Sequence, residues 1–203
     1  MRLNFGSLTI IVGIIILILL CTYLKYKKNK GNIYLFFFSI FFVYLLYVTK
    51  YTIFPIFFYD DQPPQSIYDY VNLIPFKLDL LSEQVLLNIL LSIPFGFGIP
   101  FLTKMNHMKK LLTFSVLFGT TIEIIQFLLI ISPAFTYRIV DVNDILLNMI
   151  GVLIGFTLFK IFSRFYVYIV HRWNIELNSF LLYIDQVCRE HNHQTNTWEE
   201  KNI

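Results

Sequence analysis

Five runs of apolar residues, Leu8–Leu24, Ile33–Val48, Val85–Leu102, Leu111–Ile131 and Ile145–Phe162, constrain this chain more than anything else in it. A helix crossing a bilayer needs about 20 mostly apolar residues. A backbone in hydrocarbon has to satisfy its own polar groups, which only helices and closed barrels do. The runs are continuous and do not alternate, so they read as helices. The expected fold is all-α: a polytopic membrane helix bundle with five transmembrane helices. Composition agrees, with 57% hydrophobic and 14% charged residues. The 203 residues leave room for one small bundle and no separate soluble domain.

The charges orient the bundle. Lys25, Lys27, Lys28 and Lys30 follow the first run, Lys104, His107, Lys109 and Lys110 the third, and Lys160, Arg164, His171 and Arg172 the fifth. With five alternating spans all three clusters fall on one side, which the positive-inside rule makes cytoplasmic. The N-terminus is then outside, the C-terminus is cytoplasmic, and a multi-pass plasma-membrane protein is expected. The first run has its basic residues behind it, unlike a cleaved signal, so it reads as a retained anchor. A net charge of +3 gathered beside spans gives no support for nucleic-acid binding.

Three regions follow: residues 1–50 with two spans, 51–162 with an outer loop and three spans, and a cytoplasmic tail, 163–203. In the loop, Asp60, Asp61, Asp69, Asp79 and Glu83 outnumber Lys50 and Lys77, and Pro63-Pro64 excludes a helix. Its aromatic residues, among them Tyr51, Phe54 and Phe57, suit headgroup depth. Pro94 predicts a kink or local break in the third span. Leu177, Phe180, Leu181, Ile184, Val187 and Cys188 form one apolar face, predicting a short helix along the inner surface, with a disordered polar tail from Glu190. Cys21 and Cys188 suggest neither a disulfide nor a metal, and His191 and His193 read as solvated side chains.

Polar residues inside the spans are the functional signal. Asp141, Asp144, Asn148, Gly151 and Gly155 recur every three or four residues, and so share one stripe of a helix. Ser115, Gly119, Glu123 and Gln126 form a second stripe on the fourth span, and antiparallel pairing of the two would set small against small and polar against polar. At about 1.5 Å per residue, Glu123 lies on the order of 12 Å below the outer end of its run. Asn148 lies on the order of 6 Å below Asp144, and Asn88 at similar depth. Such groups are costly in hydrocarbon unless they face protein or water. Capping of the fifth helix explains at least one of Asp141 and Asp144. Neither a phosphate-binding glycine loop, a zinc-type His-Glu pair nor a nucleophile elbow is present, and no cofactor or metal is implied.

Four blocks in order, Asn72-Leu-Ile-Pro75-Phe76, Asn88 through Phe97, Glu123-Ile-Ile-Gln126-Phe, and Arg138 through Gly151, resemble the VanZ-like membrane protein family. The resemblance implies a small cell-envelope protein of bacteria, in a family named for a member linked to resistance to the lipoglycopeptide teicoplanin and without an agreed biochemical activity. It picks out Asn72, Pro75, Asn88, Pro94, Gly96, Glu123, Gln126, Arg138, Asp141, Asp144, Asn148 and Gly151. Gly119, Gly151 and Gly155 are expected to serve helix packing. The leading expectation is an outward-facing polar pocket that contacts an envelope lipid, a lipid-linked wall precursor or an amphiphilic drug. The alternative is an intramembrane enzyme on such substrates, with Glu123 as general acid or base and Arg138 holding a phosphate or developing anion. A proton-coupled carrier ranks below both. The sequence leaves the oligomeric state open.

Overall fold

The computed structural model describes residues 2–58, 70–75, 82–105, 108–132, 134–135 and 139–199. Its long helices are α1 (Ser7–Tyr26), α2 (Asn32–Thr52), α3 (Glu83–Gly98), α4 (Met108–Ile130), α5 (Val142–Arg172) and α6 (Ser179–Glu199). The first five are long and apolar enough to cross a membrane, so the chain is a multi-pass, all-α membrane protein. Short strands gather at one end. Of these, β1 (Arg2–Leu3), β2 (Ile56–Phe58) and β4 (Ala134–Phe135) pair antiparallel, while β3 (Val71–Asn72) and β5 (Val140–Asp141) pair parallel, Asn72 opposite Asp141. This end carries Glu83, Asp141 and Asp144, and is called the acidic end below. Lys30, Lys104 and Lys110 line one cavity at the opposite, basic end.

The centre of the bundle is a parallel contact between α3 and α5 in which backbone meets backbone. A Cβ on Gly151 would lie 2.3 Å from the Ile89 carbonyl oxygen, and one on Gly155 2.0 Å from that of Ile93. From the other side, a Cβ on Gly96 would lie 2.0 Å from the Val152 oxygen. Small residues at such a crossing let Cα–H groups approach carbonyls and dispersion act over short distances. The antiparallel pairing of α4 with α5 is present, with Gly119 against Ile145 and Asn148. Gly151 and Gly155, however, face α3 and not Gly119, because α3 offers bare carbonyls where α4 offers side chains.

Around this pair, Val48, Phe95, Ile99, Met105, Leu111, Phe118, Ile122 and Val152 form the buried core, with the Phe95 and Phe118 rings stacked at 4.3 Å. Helix α1 leaves most of its side chains exposed, as lipid-facing helices do, while α2 is mostly half-buried and fully buries only Val48 and Thr52. Helix α3 runs unbroken through Pro94, then tightens into a 3-10 turn over Ile99–Phe101 that contains Pro100. Pro94 has no N–H for the Leu90 carbonyl. One residue on, the Tyr44 hydroxyl donates to the Leu91 carbonyl at 2.7 Å, which ties α2 to this weakened turn.

Helix α5 continues ten residues past the expected end at Phe162, since 163–172 hold no breaker; it stops where Asn174 adopts φ 46°. The expected amphipathic helix is α6, and it is longer than its apolar pattern suggested. It runs on through Glu199, and the reading of the tail from Glu190 as disordered is corrected for residues 190–199. Its inner face is held by hydrogen bonds. Ser163 Oγ donates to the Cys188 carbonyl at 2.9 Å, Tyr166 to the Leu181 carbonyl at 2.9 Å and Tyr183 to the Phe101 carbonyl at 2.5 Å. His191 is buried, not solvated: its ring stands edge-on to Phe159, and its Nε2 accepts from the Met105 N–H at 3.2 Å. The other nitrogen, Nδ1, then donates to the Val187 carbonyl at 2.7 Å, so the imidazole is neutral. Its pKa is lowered, first by burial, then by Lys160 and Lys104, against a raising effect of the Val187 bond. Residue His193 is helical, and its side chain lies outside the described part of the structure.

Candidate functional site

The first turn of α5 begins the site. Asp141 caps the helix, its Oδ1 accepting from the Asn143 backbone N–H and from Asn143 Nδ2, both at 2.8 Å. Its Oδ2 accepts from Asn72 Nδ2 at 2.9 Å, while Asn143 Nδ2 also donates to the Ile74 carbonyl at 3.0 Å. Asn72, Asp141 and Asn143 thereby clamp the loop strand β3 onto the start of α5. Four acceptor positions on a carboxylate are largely used by this arrangement. Asn143, fully buried, was not singled out by the sequence, where an asparagine between two aspartates at a helix start resembles any capping turn.

Glu123 reaches the same place from α4. Its Oε2 accepts from the Asp141 backbone N–H at 3.0 Å, and the residue is only 5% exposed. Burial of this carboxylate inside a span is thus offset by one of the amides that a helix start leaves without an internal partner. On the other flank, Gln84 Nε2 donates to Asp144 Oδ2 at a long 3.4 Å. Deeper in the bundle the Ser92 hydroxyl is shared between Asn148 Oδ1 at 2.6 Å and the Asn88 carbonyl at 2.9 Å. Asn148 therefore bonds across to α3 at the level where the glycines bring the two helices together.

These elements enclose a cavity of about 730 Å³ between α2, α3, α4 and α5. Asn88, Glu123, Gln126, Asp144 and Asn148, the polar residues expected at one depth, all line it. So do Glu83, Gln84, Tyr44, Tyr47, Tyr51 and Thr52. Asn72 and Asp141 stand beside the cavity as the clamp described above, and Gly119, Gly151 and Gly155 are in its supporting packing. Arg138 falls outside the described residues, as do Lys77 and the loop acids Asp60, Asp61, Asp69 and Asp79. Two lining atoms are buried with no protein partner, Asn88 Nδ2 and Gln126 Oε1. Gln126 is oriented by donating its Nε2 to the Thr52 carbonyl at 2.8 Å. Among the described residues, no three His, Cys, Asp or Glu side chains are placed to hold a metal ion.

The family profile of VanZ/LLP1 matches residues 41–163, more than half of the chain. The chain belongs to the VanZ/LLP1 family. No curated protein and no solved structure matches it. The VanZ/LLP1 region starts ten residues before the boundary drawn at residue 51, and so takes in the second half of α2. That half supplies Tyr44, Tyr47, Val48, Tyr51 and Thr52 to the cavity wall. The sequence reading gave Tyr51 only a headgroup role and did not single out the other four, because a tyrosine-rich span end resembles any interfacial anchor. Every described residue lining the cavity lies within the VanZ/LLP1 match.

Proposed function

We propose that this VanZ/LLP1 protein is a binding protein of the bacterial plasma membrane. In this reading the basic end faces the cytoplasm, as the positive-inside rule requires, and the cavity lies in the outer half of the bilayer. Its ligand is an amphiphile of the envelope: a membrane lipid, a lipid-linked wall precursor or a lipoglycopeptide of the teicoplanin type. The observation that carries the proposal is the cavity itself, about 730 Å³ in volume, apolar toward Leu91 and Pro94 and polar at Glu123, Gln126 and Asp144. That size and mixture suit a small-molecule site with few polar anchors.

The test is the drug susceptibility of a deletion strain carrying wild type, Glu123→Gln or Gln126→Leu at matched membrane levels, with teicoplanin beside a non-lipidated glycopeptide. Selective protection by wild type, weakened in the variants, is expected. Wild-type protection matched by both variants would remove the cavity from the function. Topology is checked separately, by labelling single cysteines at Lys50 and Lys109 from outside intact cells; only the first should react.

A further inference from the structure

We infer that a second cavity, at the basic end of the bundle, binds a phosphate ester between Lys30 and Lys110. It lies away from the acidic end and its cavity, and the inference stands independently of what that cavity binds.

The second cavity, about 480 Å³ in volume, is assembled where four spans terminate. Helix α1 stops at Tyr26 and α2 starts at Asn32, while the third span stops at Phe101 and the fourth starts at Met108. Lys30 and Gly31 from the first junction line it together with Leu102, Thr103 and Lys104 from the second. Tyr183, Gln186 and Glu190 of α6 complete the wall. Residues that directly follow or precede the apolar part of a span lie at headgroup depth in a bilayer.

The charges in this wall do not cancel. Three ammoniums stand against one carboxylate, and that carboxylate is taken, since Lys104 Nζ bonds Glu190 Oε1 at 2.8 Å. Lys30 is half-buried, and its ammonium lies 4.5 Å from the centroid of the Tyr34 ring, another wall residue. Lys110 is half-buried too. It donates to Thr103 Oγ1 at 3.1 Å and to the Lys104 carbonyl at 2.5 Å, both neutral acceptors. An ammonium has three donors, so one N–H of Lys110 is left over. Among the described residues, neither Lys30 nor Lys110 has an acidic partner.

Partial burial of an ammonium without an anion is costly, and two at one cavity repel each other as well. Position adds to the imbalance. Lys110 sits in the first turn of α4, which holds no acidic residue, although the unpaired amides of a helix start favour negative charge. One anion between Lys30 and Lys110 offsets both ammoniums and the helix start together. Lysine binds phosphate as a point charge on a flexible stem. A basic pocket between spans at headgroup depth is where the phosphate of an anionic lipid is met.

The test uses the full-length protein in a non-ionic detergent and three probes. These are dioleoyl phosphatidylglycerol, dioleoylglycerol, which has the same chains and no phosphate, and soluble glycerol 3-phosphate. Bound species are counted by native mass spectrometry. Phosphatidylglycerol should bind about tenfold tighter than dioleoylglycerol or better. Lys30→Gln, which removes a ring contact and no ion pair, should weaken phosphatidylglycerol about fivefold, as should Lys110→Gln. Binding of dioleoylglycerol should not change in either. The control is Lys27→Gln with Lys28→Gln: both lysines are exposed, in the same cluster as Lys30, and outside the cavity wall. This double variant should bind phosphatidylglycerol as wild type does. Displacement of the lipid by glycerol 3-phosphate would assign the site to soluble phosphate esters, and persistence of the lipid assigns it to phospholipid. Equal binding of phosphatidylglycerol and dioleoylglycerol overturns the inference. So does a loss in the control as large as in Lys30→Gln, because the lysines then act only as a diffuse positive surface.

Discussion

Replacing Gly155 by alanine tests the close approach of α3 and α5 most directly. The added Cβ would sit 2.0 Å from the Ile93 oxygen, and 2.9 Å from both the Ile93 carbonyl carbon and the Phe97 nitrogen. An ordinary carbon–oxygen contact is about 3.3 Å or longer, so the helices must separate locally by about 1.3 Å, and no side-chain rotation relieves a clash with backbone. The same movement stretches the nearby 2.6 Å Ser92–Asn148 bond past any useful hydrogen-bond length, while Ser92 keeps the Asn88 carbonyl. Overpacking costs about 1–3 kcal/mol, the lost bond about 1 kcal/mol, and the better helix propensity of alanine returns about 1 kcal/mol. The net expectation is a loss of about 2 kcal/mol, read as reversible unfolding in mixed micelles. Gly13→Ala is the control: its Cβ would meet the Leu46 methyl carbons at 2.8 Å and 3.0 Å, the mobile end of a side chain, so it should fall within about 0.5 kcal/mol of wild type. Equal stability of the two variants would refute the account of the helix crossing.

Three other outcomes follow from the same geometry. Asp141→Ala should destabilise by about 2 kcal/mol, since a helix cap is worth about 1 kcal/mol and the Asn72 and Asn143 amides lose their acceptor as well. In a double-mutant cycle with Asn72→Ala the effects should fall short of additivity, and simple addition would dissolve the clamp. Glu123→Gln retains an acceptor for the Asp141 N–H and should unfold within about 1 kcal/mol of wild type, whereas Glu123→Leu orphans that amide and should cost about 1–3 kcal/mol. Docking of α6 should depend on pH through His191, whose folded pKa lies below its ordinary 6.5. The undocked chain then binds the proton more readily, so the docking energy is full above about pH 6.5 and declines as pH falls toward the folded pKa. Hydrogen exchange in Asp185–Arg189, measured from pH 8 down to pH 5 and corrected for intrinsic rates, should show protection falling only at the acid end in wild type, and no such step in His191→Gln.

The spans were legible because the bilayer imposes length and apolarity on each segment separately, so local sequence carries that information. The polar layer was legible for a related reason. A residue such as Asn148 or Glu123 is conspicuous against an apolar background, and helical spacing tells which residues share its face. What the sequence withheld is partner choice. The Gly151–Gly155 pair announces a close neighbour without saying whether α3 or α4 supplies it, because both bring small residues to the same depth. His191 failed differently: in a stretch as polar as His191-Asn192-His193-Gln194 nothing local signals burial. Its place is set by Phe159 and by the Met105 amide, some thirty and more than eighty residues away along the chain. The end of α5 went undetected because a helix ends where a stop signal is, and the loss of hydropathy after Phe162 is no such signal.

The distinction between structural and functional polar groups in this family need not rest on where they fall in the sequence. Asp141, Asn143, Asn72, Ser92 and Asn148 all have protein partners at good distances, and substituting them should first be felt as instability. Gln126 Oε1 and Asn88 Nδ2 have none, although Asn88 shares α3 with Ser92 and both line the cavity with Asn148. A chain selected only to fold would lose little by placing leucine at residue 88, since a buried amide donor without an acceptor works against the bundle. Retaining an amide there makes sense if something outside the polypeptide completes the bond. The prediction that separates the two groups is a crossed one. Substitutions in the paired set should lower stability and ligand occupancy together, and Asn88→Leu should lower occupancy without lowering stability.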